Sequence, residues 1–257
     1  MGAPGEHGLP VSRIAQAYAD RVEVRGRDLT RDLMGRVSFT EYFHLLLTGR
    51  DPTDDERFFL DLLLVAIAEH GLMPTNVAAR ITLAADPDSL QAAVAAGILG
   101  AGRVVLGTAE ACALLLEESL AAGREPAETV RSIAAAGGKV PGFGHPVHHP
   151  VDPRAERILE LADERGVSGR YIAYTRALAG AVDERWGRQL TMNVSMPIAG
   201  VLLDLGFTAE VAKAIPILAR TASLLAHLAE ERERPLGFVL ARAAEHAVRY
   251  EPPDARA

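Results

Sequence analysis

Between glycine and proline clusters at 49–53, 71–74, 97–107, 137–150 and 205–207, almost every stretch of this chain repeats its apolar residues at helical spacing, and strand signals are scarce. Phe59, Leu60, Leu63, Leu64, Ala66 and Ile67 make one broad stripe of the kind a helix turns toward other helices. The pattern predicts helices over 38–47, 54–69, 89–99, 108–122, 126–136, 153–165, 170–186, 209–225 and 235–249. Several starts carry their own punctuation: Thr53 with Glu56 reads as a capping box, Asp152-Pro153 as a cap followed by a first-turn proline, and Thr208 precedes the helix at 209. Aromatic residues are only 5% of the chain, so alanine and leucine must do the packing and helices must approach closely. The fold class is therefore all-α.

At 257 residues with 49% hydrophobic content the chain suits one large domain or two modest ones. A net charge of −7 gives no global basic field, which argues against nucleic acid or an anionic membrane as a partner. Any anionic ligand must then be held by locally placed cations. The single cysteine, Cys112, lies in an apolar run and reads as a small buried hydrophobe in a reducing compartment. The longest apolar tract, about 93–106, is interrupted by Arg103 and falls short of the roughly 20 residues a membrane helix needs. The start has neither the basic flank nor the apolar stretch of a secretory leader, so the expected location is cytoplasmic. The tail from 251 to 257 reads as coil.

The chemistry is concentrated in Lys139-Val140-Pro141-Gly142-Phe143-Gly144-His145-Pro146-Val147 and the Asp152-Pro153-Arg154 that follows. Gly142 and Gly144 let the backbone approach a ligand, His145 can give or take a proton near neutral pH, and Arg154 can grip a carboxylate bidentately. A cation at the start of a helix runs against the dipole, so Arg154 points to binding. Arg220 lies inside an apolar helix, where it serves either a ligand or a structural ion pair. His70, before Gly71 at a helix end, either binds a ligand or caps carbonyls. His148 and His149 are adjacent, so their side chains diverge; they read as surface or substrate-entry residues, and no metal site is expected. The charge run 230–234 reads as a solvated face, and the glycines at 97, 100, 102 and 107 as close-packing positions.

Four segments in order, Glu23–Leu29 with Ser38–Gly49, Ala68–Gly71, Gly142–His145 with Asp152–Arg154, and Arg220–His227, resemble the citrate synthase superfamily, and within it the short citryl-CoA lyase type. The resemblance covers about 20–235. It implies a large helical domain (1–107 and 207–257), a small one (108–206), and a cleft between them that closes on substrate. It also implies a homodimer, with Arg234 or Arg242 reaching the partner's site. The implied reaction joins or breaks a carbon–carbon bond between a CoA thioester and oxaloacetate. His145 would act at the hydroxyl or carbonyl oxygen, His70 would hydrogen-bond the dicarboxylate or tricarboxylate substrate, and Arg154 and Arg220 would clamp its carboxylates. Val140, Gly142, Phe143 and Gly144 would cradle coenzyme A, the substrate's carrier moiety, with Lys139 supplying charge for phosphate.

Two departures shape the expected activity. The histidine that precedes a glycine-rich motif in citrate synthases falls near Val105 here, which favours a lyase. The family's catalytic aspartate, in an Asn-Val-Asp motif, is replaced in Asn193-Val194-Ser195, so Ser195 stands at the catalytic position. An unassisted hydroxyl transfers protons poorly near pH 7. Reduced activity, another acid from water, Glu69 or Glu110, or an altered substrate all remain open. The leading expectation is cleavage of citryl-CoA, or a related 3-hydroxy-3-carboxyacyl-CoA, to acetyl-CoA and oxaloacetate. The alternatives are a condensing enzyme or a non-catalytic CoA- and dicarboxylate-binding homologue.

Overall fold

The computed structural model describes residues 11–102 and 104–251; residues 1–10, Arg103 and the expected coil beyond Glu251 lie outside the described residues. The chain divides into two compact units, one ending at Asp61 and one beginning at Leu62. The segment 108–206, expected as a small domain, lies wholly in the second.

The first unit holds an antiparallel sheet of β1 (Ala15–Ala17), β2 (Val22–Val24) and β3 (Arg27–Asp28), in that order. Arg25 and Gly26 both take positive φ, 50° and 79°, the turn whose twist matches paired strands. Strands of two and three residues are too short to alternate visibly, which is why the periodicity does not reveal them. A π-helical turn, Leu29–Leu33, leads to α1 (Phe39–Thr48). Ser38 caps α1: its hydroxyl accepts from the Glu41 N–H at 3.2 Å, and the Glu41 carboxylate accepts from the Ser38 N–H at 2.6 Å. Val24, Leu33 and Leu45 form a small core. The predicted box at α2 (Asp54–Ala68) is present, with Thr53 N–H to Glu56 Oε2 at 2.7 Å and Glu56 N–H to Thr53 Oγ1 at 3.2 Å. The unit boundary falls inside α2.

The second unit continues with α3 (Pro74–Ala85), α4 (Leu90–Leu99), α5 (Thr108–Ala121), α6 (Pro126–Ala135), α7 (Pro153–Glu164), α8 (Arg170–Trp186), α9 (Ser195–Asp204), α10 (Ala209–Glu233) and α11 (Gly237–Ala247). Two of these escape the helical pattern. In α9 every side chain from Met196 to Leu203 is buried, so no polar face marks the period. In α3 the core-facing positions include Thr75, Asn76 and a fully buried Arg80.

α10 packs on α3, α4, α5 and α9, and α9 also packs on α5, α7 and α8. The approach of α10 to α4 is close: a Cβ at Gly97 would lie 2.7 Å from Leu224 Cδ1 and 3.1 Å from Ala79 Cβ. By length and composition α10 could cross a membrane, which corrects the expectation that no segment could; here it is a core helix against four others. It also runs past the expected end at 225, and the charge run there is not simply solvated. Glu231 is buried, its Oε2 receives Arg80 Nη1 at 2.8 Å, and its Oε1 accepts the N–H groups of Leu236 (2.8 Å) and Gly237 (2.6 Å). Glu231 thus shares with Glu230 the neutralisation of the buried guanidinium of α3, and also seats the start of α11.

Candidate active site

His70 leaves α2 at a left-handed Gly71, where Glu69 holds the turn. The Glu69 carboxylate accepts from the N–H groups of His70 (2.9 Å) and Gly71 (2.6 Å), from the Ser223 hydroxyl and from His227 Nε2 (3.0 Å). Burial pushes this carboxyl up, but the Ser223 hydroxyl, the Gly71 N–H and His227 outweigh it, so Glu69 stays ionised below the usual range. Ser223 and His227 lie one and two turns beyond Arg220 on α10, which puts all three on one face.

Arg220 is 2% exposed, and among the described residues no carboxylate oxygen lies within 4 Å of it. Among the described residues its side-chain hydrogen bonds are long, Nη1 to Asn76 Oδ1 at 3.5 Å and Nη2 to Ile67 O at 3.4 Å, while Nε has no hydrogen-bond partner. Burial and the nearby Arg154 lower its pKa against the pull of Glu69. The structural ion pair that competed with binding is not formed, and the guanidinium retains donor capacity.

The loop of His145 is fastened to the segment that begins α9. Phe143 and Met192 form an antiparallel bridge, Gly144 N–H donates to Thr191 O at 2.7 Å, Asn193 N–H to Gly142 O at 2.8 Å, and Asn193 Nδ2 to Gly144 O at 3.1 Å. Gly142 is required twice over: its φ is +81°, and an added Cβ would lie 2.8 Å from Cys112 Sγ and 2.9 Å from Met196 Cβ. Asp152 completes the frame. Buried at the cap of α7, it accepts from the Arg154 N–H (3.1 Å), Arg154 Nε (3.0 Å) and Nη2 (2.8 Å), and the Val194 N–H (3.1 Å).

Within this frame His145 has a defined tautomer. Its Nδ1 accepts the N–H groups of Val147 (3.0 Å) and His148 (2.8 Å), so the ring proton resides on Nε2. Burial first, then the cationic surroundings, lower the imidazole pKa and keep it neutral. Arg154 Nη2 lies 3.5 Å from that Nε2. Two donors facing each other at this distance converge on a place for an anionic oxygen. His70, with its pKa lowered first by burial and then by Arg154, packs edge-on to His145 with ring centres 5.3 Å apart.

His148 joins them, which corrects its reading as a surface or entry residue. Its Nε2 is 3.4 Å from His70 Nε2, and its ring centre is 4.4 Å from that of His145. Only His149 diverges, with Nδ1 3.3 Å from Thr191 Oγ1. The sequence signal for His148 was its place three residues after His145, hidden by the equally plausible neighbour at 149. The candidate ligand atoms of the three imidazoles lie within 4.8 Å of one another, a distance a metal could span. The donor chemistry does not suit one: His145 Nε2 carries a hydrogen, and a guanidinium stands beside it.

Ser195 is the first residue of α9, half-buried, with its N–H on Asn193 Oδ1 at 3.1 Å. Beside the loop, a cavity of about 220 Å³ is lined by Lys139, Val140, Phe143 and Gly144, with Trp186 and Arg188 opposite. Sequence reasoning did not single out Trp186 and Arg188. Their signal was the chain's one tryptophan ending a helix beside a basic residue.

Fold and site together define a mainly helical chain whose histidine- and arginine-bearing elements meet around a place for an anion. Residues 10–242 match the family described as citrate synthase, C-terminal domain, and the chain belongs to the citrate synthase superfamily. The structure of citryl-CoA lyase from Hydrogenobacter thermophilus is 27% identical, with a TM-score of 0.87 over 97% of each chain. ATP citrate lyase from Methanothrix soehngenii, solved in complex with citrate and coenzyme A, shares the fold at 19% identity and a TM-score of 0.82, covering 98% of this chain and 43% of that one. Citrate synthase from Haloferax volcanii is 26% identical over 194 residues, 74% of this chain and 51% of its own. The chain spans about half the length of the curated relatives it matches.

Proposed function

We propose that the chain cleaves citryl-CoA, or a closely related 3-hydroxy-3-carboxyacyl-CoA, to acetyl-CoA and oxaloacetate. The observation that carries this reading is the pair of donors, His145 Nε2–H and Arg154 Nη2, 3.5 Å apart, with the unpaired Arg220 buried beneath the His70 turn. A substrate with several carboxylates and one oxygen that gains charge uses all three groups. When the carbon–carbon bond breaks, the tertiary hydroxyl becomes a ketone and the thioester fragment leaves as an enolate. His145 is suited to donate to the oxygen that bears the charge, because its Nδ1 is occupied and its Nε2–H is fixed. His70 would orient the same substrate, and Arg154 and Arg220 would hold carboxylates. The cavity with Lys139, Trp186 and Arg188 suits the CoA nucleotide, with phosphate on the cations and a base on the indole. Likeness over the full length of a citryl-CoA lyase supports the cleavage direction.

Ser195 favours a second reading, a homologue that binds CoA and a dicarboxylate without turning them over. Turnover of citryl-CoA, followed by appearance of oxaloacetate, separates the two. Binding without turnover would support the second reading and end the first. His145→Ala should lower turnover by about 10²–10⁴-fold.

A further inference from the structure

Carbon–carbon cleavage needs a group that accepts a proton and returns it to carbon, and the carboxylates around this site are committed elsewhere. Asp152 is buried on Arg154, Glu69 is saturated by Ser223, His227 and two backbone N–H groups, and Glu110 is paired with Lys213 at 2.9 Å. The lone pair of His145 is spent on two backbone N–H groups. Ser195 offers no titratable group.

Resting on the cleavage reading above, we propose that His148, in contact with His70, carries the proton between the substrate's hydroxyl and the carbon next to its thioester. The two imidazoles meet Nε2 to Nε2 at 3.4 Å, and a hydrogen bond between these atoms sets one N–H against one lone pair, so the contact holds both a proton and a base. His148 also lies against His145, the group assigned to the charged oxygen, so proton carrier and charge stabiliser sit side by side. The step balances as follows. The hydroxyl proton passes to the His148 lone pair, the alkoxide electrons close the carbonyl, and the carbon–carbon bond electrons move into the thioester as an enolate. The proton on His148 then passes to the enolate carbon to make the methyl group, and the protein regains its starting protonation. The charged and titratable groups facing the imidazole cluster are Asp152, Arg154 and Arg220. The first is held by the second, and the other two are cations, so none competes as base.

The test is exchange of the acetyl-CoA methyl hydrogens into D2O in the presence of oxaloacetate, with kcat and KM for citryl-CoA cleavage and a CoA titration of Trp186 fluorescence. In His148→Asn we expect exchange and kcat to fall together by about 10²–10⁴-fold, the imidazole limb of the kcat pH profile to vanish, and KM and the CoA titration to hold. In the double variant with Ser195→Asp, a carboxylate restores part of the exchange. Undiminished exchange in His148→Asn overturns the assignment alone, and so does exchange lost together with CoA binding, which marks a structural role. If His148→Asn does not fold, His148→Gln is read by the same criteria. An unmodified protein that binds CoA yet shows neither exchange nor cleavage overturns the functional reading, and this assignment with it.

Discussion

Gly142 fixes the position of the catalytic loop more firmly than any side chain in it. With a left-handed φ of +81° and Cys112 Sγ where a Cβ would go, Gly142→Ala combines overpacking with backbone strain. It should cost about 2–4 kcal/mol in denaturant unfolding. Gly144, whose φ is +93° with nothing within 4 Å, should tolerate alanine better, and the contrast between the two checks the packing argument. Arg220→Met should raise KM for the carboxylate substrate by about 10–100-fold, since a buried charged hydrogen bond contributes about 1.5–3 kcal/mol. His145, Arg154 and the glycines were legible because one contiguous motif carries them. His148 was not, because nothing in a linear chain tells which of two adjacent imidazoles turns inward. Trp186 and Arg188 were hidden for a different reason: they face the loop across more than forty residues of chain.

At the scale of elements, the decisive helices are the two that the apolar pattern does not reveal. Regions with a wet face, such as α2, α7 and α8, show their period because polar residues mark it, and their caps at Thr53 and Asp152 stand where the sequence puts them. α9 has no such face, and α3 buries an arginine. That arginine makes a sharp prediction. Glu231→Ala leaves Arg80 only partly neutralised inside the unit and frees the first N–H groups of α11, so it should destabilise by about 3–5 kcal/mol. Loss of α11 protection in hydrogen exchange should accompany the drop, whereas a Glu231→Ala protein of unchanged stability would show that the pair is not a keystone of α10 and α11.

For the whole molecule, pH is the most direct probe. His70 and His145 have lowered pKa values in the fold, so their contribution is fully present above the ordinary imidazole value near 6.5 and is lost as pH falls below it. Resistance to thermal unfolding should therefore begin to fall below about pH 6.5, and His145→Ala should blunt that loss. A second loss follows in acid: Glu56 is held down to about 2, first by Arg50, so the unfolded chain takes up this proton before the fold does and stability is lost as pH falls from 4.5 through that value. Coenzyme A at 100 times its Kd should raise stability by about 2.7 kcal/mol in a thermal-shift assay. Light scattering on the purified chain tests the dimer that the resemblance implies.

The packing of Cys112 beneath Gly142 gives the chain a built-in clock. Its thiol is fully covered and held protonated by burial, and it is the sole sulfhydryl in the sequence. A disulfide reagent therefore stays idle while the motif above it is seated and reacts only in the moments when it lifts. The rate of colour development, slowed or not by substrate, would time how often the catalytic imidazole leaves its post.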